Sequence, residues 1–354
     1  MLVKIMNKKQ LTSRERIFTA MSLKEPDRVP IGEFAIDGKV IAGFNKGYDD
    51  VVDFAVGEGL DMVGATACFR KVRGMKGGCY IDEWGCTYAP GADVVHHPVK
   101  GAITLETDLD RYELPDPNAP HRLGGLERLV EKSAGAVAVN FHSRVAFMWS
   151  VFLMGMDNFL MAMALEPEFV HRLLGKVAEV NIAVIRRAVR VGADTISLGD
   201  DYCSNKGPLM SPVMFREFLL PHLRRASQTI HEEGAKCIKH CDGNLWPILD
   251  QLAEAGIDCI NPLEPMANMD MAEVKKTYGA KLCLMGNIDC GELLCHAPEI
   301  EVERAVRECI RKGAAGGGLI VSSSNSIHSG VSPRNYAAMI RAVHKYGWYR
   351  QEKS

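Results

Sequence analysis

The chain carries 11 cysteines in 354 residues, yet none of them form a Cys-x-x-Cys pair. Scattered thiols in odd number do not build a secreted disulfide framework. The opening MLVKIMNKKQLTSRER has no apolar core of signal-peptide length. Together these absences point to a reducing cytoplasm, with most thiols acting as small buried apolar groups. Uninterrupted long apolar runs are missing too. The most apolar region, Ala134–Met156, contains Asn140, His142 and Arg144. That excludes a membrane span and predicts a buried strand followed by a buried helix. No charge of one sign dominates: the net charge is -2, so no overall field recruits nucleic acid or an anionic membrane. Repeats, low-complexity tracts and Ser/Gly linkers are absent, so residues 1–354 read as a single domain. What remains, 47% hydrophobic and 24% charged residues, is the composition of a globular enzyme.

Short β-rich runs alternate with helical patterns along the chain. The predicted strands are Val29–Phe34, Leu60–Ala65, Ala136–Phe141, Asp194–Leu198, Lys236–His240, Ile257–Asn261, Lys281–Met285 and Leu319–Ser323. Several are continuous apolar runs, as in strands covered on both faces. Helix punctuation lies between them. Thr12-Ser13-Arg14-Glu15 is a capping-box pattern opening a helix through Met21. Ser211-Pro212 and Ser332-Pro333 each set a cap before a proline, and the helices that follow stop near Gly234 and Gly347. Eight strands in βα alternation predict an α/β fold, a (β/α)8 TIM barrel. A doubly wound open sheet would want a Gly-rich turn after its first strand, and none is there. The segment Cys79–Val99 alternates aromatic or branched residues with polar ones around Pro90-Gly91. It reads as a β-hairpin-like insertion after strand two, placed to shape the mouth of the barrel.

Catalytic groups of such barrels sit at the carboxyl ends of the strands. Polar residues collect there: Glu33 and Asp37; Asn140 and His142; Asp200, Asp201 and Tyr202; His240 and Asp242; Asn261 and Glu264; Asn287 and Asp289; Asn325 and His328. An Asp or Asn after a strand is also an ordinary turn former or cap, an equal reading for Asp200, Asp289 and Asn244. His240 stands above that level. It ends a buried strand, Asp242 follows two residues on, and Glu264 ends the adjacent strand. One imidazole and two carboxylates make a plausible Zn²⁺ or similar divalent site with an open position for substrate. Cys241 should point to the other side of the chain, as a structural thiol. The run Gly313-Ala314-Ala315-Gly316-Gly317-Gly318 precedes the last strand and so belongs to a tight turn on the stability face rather than a phosphate cradle.

Four stretches together resemble the uroporphyrinogen decarboxylase superfamily: LTSRERIFTAMSLKEPDRVPI, GPLMSPVMFREFLLPHL, the GNID after strand seven and the closing SPRNYAAMIRAVHKYG. The resemblance covers nearly the whole chain and implies the same barrel. Its decarboxylases carry an Arg-rich stretch after RVP that grips porphyrin carboxylates. Here that place reads Gly32-Glu33-Phe34-Ala35-Ile36-Asp37, acidic and without Arg, so a polycarboxylate should be repelled. The other branch holds cobalamin-dependent methyltransferases, with zinc bound by a His-x-Cys pair after strand five and a Cys after strand eight. His240-Cys241-Asp242 matches with Asp242 in place of the Cys, and Asn325 and His328 lie nearest the missing strand-eight Cys. The resemblance therefore implies metal ligands His240, Glu264, Asp242 and His328. Glu33, Asp201 and His142 are the candidate catalytic groups; Asn140, Tyr202, Asn287 and Asn325 are the candidate substrate contacts. A His/carboxylate set makes a harder, more electrophilic metal than a thiolate set, suited to an oxygen leaving group. The expected activity is zinc-dependent transfer of methyl from an O-methyl donor, such as a methoxylated aromatic, to the Co(I) corrinoid of a partner protein. No Asp-x-His-x-x-Gly stretch provides a corrinoid site in the chain itself. The alternatives are a methylcorrinoid:thiol methyltransferase, a decarboxylase of the uroporphyrinogen type, and a non-catalytic barrel that binds a corrinoid protein or small ligand.

Overall fold

Apolar runs with no polar face can be buried only if both sides of the sheet are covered. In the computed structural model, which describes residues 10–90, 98–107 and 109–349, seven such runs pair as one parallel sheet. They are β1 (Met62–Thr66), β2 (Ala138–Ser143), β3 (Thr195–Gly199), β4 (Lys236–His240), β5 (Cys259–Asn261), β6 (Cys283–Ile288) and β7 (Leu319–Ser323). Their order in the sheet is their order in the chain. Parallel neighbours need crossovers, and helices such as Pro167–Val191, Leu220–Glu232 and Glu299–Gly313 supply them. The result is a curled, barrel-like α/β fold.

The eighth predicted strand, Val29–Phe34, is the exception. It forms two isolated parallel bridges, Ile31 to Val321 on β7 and Gly32 to Met62 on β1. The segment thus joins the two edges of the sheet without becoming a full strand. Its donors explain this. Pro30 has no N–H, and the Ile31 N–H is taken by Asp61 Oδ2 at 2.8 Å rather than by a neighbouring carbonyl.

Inward-facing Met62, Ala138, Ile238, Cys259, Cys283, Met285 and Ile320 pack with Ile17, Ala20 and Met21. The helix Ser13–Met21, opened by the capping box of Thr12 and Glu15, thereby plugs one end of the ring. All eleven cysteines are free, and Cys259 and Cys283 serve as small apolar filler in this interior. Ser211 caps through Met214 N–H, and the run that follows contains a π turn at Phe215–Leu219. Ser332 holds the cap position of Pro333–Tyr346 but makes no capping bond with its side chain.

The apolar Ala134–Met156 region resolves into β2 and the fully buried helix Phe147–Met154. Among the described residues no single helix is long and apolar enough to cross a membrane. Phe147–Met154 and Met156–Leu165 pass that test only as a pair bent by 107°.

Between β1 and β2 stands a three-stranded antiparallel sheet of Lys71–Gly74, Tyr80–Asp82 and Thr87–Tyr88. One reversal falls at Glu83–Gly85, where Asp82 Oδ1 accepts from Trp84 N (3.0 Å) and Cys86 N (2.9 Å), and beyond Pro90, Lys100 pairs antiparallel with Thr87. Residues 91–97 of the expected insertion lie outside the described residues.

One buried carboxylate closes the N-terminal end of the ring. Asp61, with no exposed side-chain surface, pairs with Arg16 Nη1 at 2.6 Å and Arg28 Nη1 at 2.7 Å. Arg16 also grips both oxygens of Asp27, at 2.6 and 2.8 Å. The LTSRER and EPDRVPI stretches are thus two sides of one ion network. Truncating Asp61 leaves two buried guanidinium groups facing each other. Asp61→Ala is expected to lose about 3–5 kcal/mol of unfolding free energy, read by urea denaturation. A loss no larger than that of an exposed Asp→Ala control would remove the network from its closing role.

Candidate functional site

The carboxyl ends of parallel strands open on one face, and register decides which side chains meet there. His240 and Asn261, the last residues of β4 and β5, are paired partners. His240 Nδ1 lies 2.6 Å from Asn261 Oδ1. The Asn261 amide nitrogen faces Met285 O (3.3 Å) and Ser322 Oγ (3.4 Å), so its oxygen is the acceptor. Nδ1 is therefore the donor in this bond, and Nε2 faces the cavity, the arrangement of an imidazole with its second nitrogen held.

Around Nε2 lie Asp242 Oδ1 at 3.5 Å and Asp201 Oδ1 at 4.0 Å. Asp242 Oδ2 accepts from Asn325 Nδ2 at 2.8 Å. Its Oδ1 is buried with no partner. Asp201 Oδ1 also accepts the Asp242 N–H, at 3.1 Å. Burial, reinforced by the like charges of Asp201 and Glu264, pushes the Asp242 carboxyl up to about 6, against the pull of His240 and Asn325. Such an arrangement asks for a cation. One ligand atom each from Asp201, His240 and Asp242 lie within 4.8 Å of one another.

Of the four expected metal ligands, the structure brings His240 and Asp242 together and joins to them Asp201, expected as a catalytic group. Glu264 is outside the group: its Oε2 accepts the Gly243 N–H at 2.6 Å, and burial raises its carboxyl. His328 is outside as well. Its Nε2 faces Cys290 O at 3.1 Å and its Nδ1 accepts the Gly330 N–H at 3.1 Å, so both ring nitrogens are engaged.

The group borders a cavity of about 810 Å³. Phe34, Phe69, Trp149 and Phe152 give it an aromatic wall, and Tyr80 and Tyr88 of the small antiparallel sheet extend that wall. Asp200 holds part of it: Oδ2 accepts from Val145 N (2.8 Å) and Oδ1 from Met148 N (2.8 Å), fixing the start of the helix Phe147–Met154. Asp200 is thus an anchor, as Asp289 is for Leu293 N–H and Asn244 for Trp246 N–H. Trp149 in turn stacks on Trp84 at 4.4 Å.

His142 also lines the cavity, its ring 5.9 Å from that of His240. Its pKa lies well below the ordinary value, from burial and then from the charge of Arg144, so it is a neutral imidazole bonded to Ser197 Oγ at 3.0 Å. Room for the ring depends on Gly199, where a Cβ would sit 2.3 Å from His142 Cε1. Asn140 is fully buried below the site, bonded to Ser197 and Thr195. Tyr202 stands behind the wall, 2% exposed, packed on Phe215 with the Lys239 amine over its ring. Neither Asn287 nor Tyr202 borders the cavity, whereas Asn325 does. Cys241 is buried and accepts the Tyr202 N–H at 3.2 Å, on the side away from the carboxylates as expected. Reasoning from sequence missed Lys239, whose buried amine ties the carbonyls of Leu198 (2.9 Å) and Asp200 (2.7 Å) at the strand ends. It also missed Asn261 as the partner that orients His240.

Glu33 is 1% exposed and borders the cavity. Its Oε1 accepts from Ser323 N at 2.8 Å, and its Oε2 is 2.7 Å from Ser323 Oγ. That hydroxyl is also 2.7 Å from Asn325 O. One hydroxyl hydrogen cannot serve both acceptors. A protonated Glu33 donating to Ser323 Oγ, which donates to Asn325 O, satisfies every group. Burial accordingly raises the Glu33 carboxyl to about 8. Asp37 lies outside the cavity lining and caps Lys39 N–H at 2.8 Å. The acidic patch expected to repel carboxylates is therefore not there: one member is a neutral acid and the other a helix cap.

The family model described as uroporphyrinogen decarboxylase (URO-D) matches residues 81–346. The uroporphyrinogen decarboxylase of Carboxydothermus hydrogenoformans is 25% identical over 258 residues, 71% of this chain and 70% of that one. That of Thioalkalivibrio sulfidiphilus is 28% identical over 187 residues, and the match spans about half the length of each chain, 51% and 50%. Among solved structures, a methyltransferase from Methanosarcina mazei shares the fold with a TM-score of 0.77 at 18% identity, over 95% of this chain and 99% of that one.

The protonated state of Glu33 has a consequence for stability. Between its ordinary value of 4.5 and about 8, the folded chain keeps a proton that the unfolded chain has lost. The contribution of this group to stability therefore falls as pH rises through that window and is flat above it. Glu33→Gln, which donates to Ser323 in the same way without ionising, is expected to match wild type at the acid end of the window and to melt higher at the alkaline end. Thermal melts across the window check this; a variant that melts lower than wild type throughout would mean that Glu33 is ionised in the fold.

Proposed function

The chain belongs to the uroporphyrinogen decarboxylase family, and from that premise we propose that it moves a methyl group from an O-methyl donor, such as a methoxylated aromatic, to the Co(I) corrinoid of a partner protein. The observation that carries this reading is the buried Asp242 Oδ1, without a hydrogen-bond partner, facing His240 Nε2 at 3.5 Å, with Asp201 beside them. The residues present fit a divalent ion such as zinc. His240 Nε2, Asp242 and Asp201 would hold it, leaving a position open toward the cavity. When bound, such an ion supplies Lewis acidity to the oxygen of the donor.

The side chains of the chain account for the rest. Asn261 holds the His240 ring and Asn325 holds Asp242, so neither ligand has to reorganise. The aromatic wall keeps water from the reacting carbon and stacks against a planar donor. As the methyl carbon passes to cobalt, the C–O electron pair stays on the oxygen. Glu33, protonated near neutral pH, holds the proton that neutralises it. An imidazole/dicarboxylate set favours an oxygen leaving group over thiol activation, because no cysteine stands in the group among the described residues. Decarboxylation of a porphyrinogen is disfavoured by charge. The lysines and arginines lining the cavity are Lys71 and Arg144 alone among the described residues, and Lys71 lies over the Tyr80 ring.

Elemental analysis of the purified protein is expected to find about one divalent ion per chain, and His240→Ala to lose most of it. Full retention in that variant would refute the assignment. In a series of aryl methyl ethers with graded phenol pKa, Asp242→Cys is expected to slow methyl transfer to Co(I), and most for the most basic leaving oxygens. A thiolate adds electron density to the metal and weakens its pull on the substrate. A variant that keeps its metal and transfers methyl as fast as wild type, with the same leaving-group dependence, would remove the metal from the oxygen.

A further inference from the structure

Buried arginines in this chain are paired. Arg16 and Arg28 share Asp61, and Arg122 binds Glu83 at 2.8 Å. Arg144 is half-buried and has no such ion pair among the described residues. It is the first residue after β2, at the carboxyl end of the ring, and it lines the cavity. Its Nε is buried with no hydrogen-bond partner. Among the described residues its guanidinium forms no ion pair either; its neighbour is the Phe152 ring, 5.3 Å away. Asp200 does not serve it, being occupied by the N–H groups of Val145, Ala146 and Met148. Asp201 and Asp242 face His240. An unpaired cation with a buried donor is costly in a low-dielectric cavity, and an anion that enters the cavity removes that cost.

We propose that Arg144 is the binding residue for an anionic group, a carboxylate, on the small molecule that occupies this cavity. The planar fork of a guanidinium matches a carboxylate with two parallel hydrogen bonds. Phe34, Trp149 and Phe152 offer aromatic faces in the same cavity. An aromatic carboxylate satisfies both features. The proposal deepens the function proposed above, on which it rests for the ether end of the molecule: the methyl donor becomes a methoxylated aromatic acid, its carboxylate on Arg144 and its methoxy group toward His240, Asp201 and Asp242. It also explains how a site with two carboxylates can accept an anion, since the cation is held apart from them.

The test is equilibrium binding by calorimetry, which needs no methyl acceptor. The probes are the ortho, meta and para isomers of methoxybenzoate and their neutral isosteres, the methoxybenzamides. At least one benzoate is expected to bind about tenfold or more tightly than its amide, as a charge-assisted pair implies. Arg144→Gln is expected to erase that preference and Arg144→Lys to keep part of it. Neither variant should melt lower than wild type by more than a surface substitution does, because the guanidinium holds nothing else in place. The proposal is overturned if no benzoate binds wild type, if amides bind as tightly as benzoates, or if Arg144→Gln keeps the preference. A preference that stands without methyl transfer to Co(I) would overturn the methyltransferase reading and leave the anion site. Methyl transfer from neutral ethers alone, without preferential binding of the acids, would do the reverse.

Discussion

A carboxylate with no exposed surface, Asp61, lies where the ring has its weakest seam. A parallel sheet of seven strands has two edges, and among the described residues the short segment Pro30–Gly32 spans them. Two isolated bridges are few bonds for such a junction. Asp61 supplements them by accepting the Ile31 N–H and by drawing Arg16 and Arg28 together. Everything at the other end of the ring depends on this closure. Glu33 lies just beyond the joining segment, and it reaches Ser323 of β7 only because the two edges meet.

The site itself shows a second dependence, of each reactive group on an unreactive partner. His240 has its ring held by Asn261, Asp242 its orientation by Asn325, and Glu33 its position by Ser323. The aromatic wall has its position set by Asp200. These partners come from different strands, so the register of the sheet is what brings them within bonding distance. Low dielectric then magnifies each effect: the same burial that raises Glu33 and Asp242 keeps His142 neutral. The cavity thus holds a neutral acid, a neutral imidazole, a cluster of one imidazole and two carboxylates, and the cations of Lys71 and Arg144.

Charge at the site also shows why composition is a poor guide to specificity. Glu33 and Asp37 look in sequence like an acidic patch that repels anions. In the fold one is protonated and the other caps a helix. Arg144, one arginine among many in the sequence, lines the cavity without an ion pair among the described residues. Neither outcome follows from residue type, because both depend on which backbone N–H groups the nearby carboxylates already serve.

Much of the architecture was legible in the chain itself. Continuous apolar runs marked the seven strands, since a strand covered on both faces has no polar side. Thr12 and Glu15 marked the first helix, and the rule that barrel chemistry sits at strand ends pointed to Glu33, His142, Asp201, His240, Asp242 and Asn325, all of which border one cavity. Local signals of this kind act over a few residues and survive without tertiary context. The rest was decided only by folding. Val29–Phe34 has the pattern of a strand but forms two bridges, because a buried carboxylate from elsewhere takes its donor. Glu264 ends the strand next to His240 yet turns to the Gly243 N–H, while Asp201, from the strand on the other side of His240, joins His240 and Asp242. Ligand sets, protonation states and unpaired charges are properties of distances between loops far apart in sequence, and three-dimensional packing is what sets those distances.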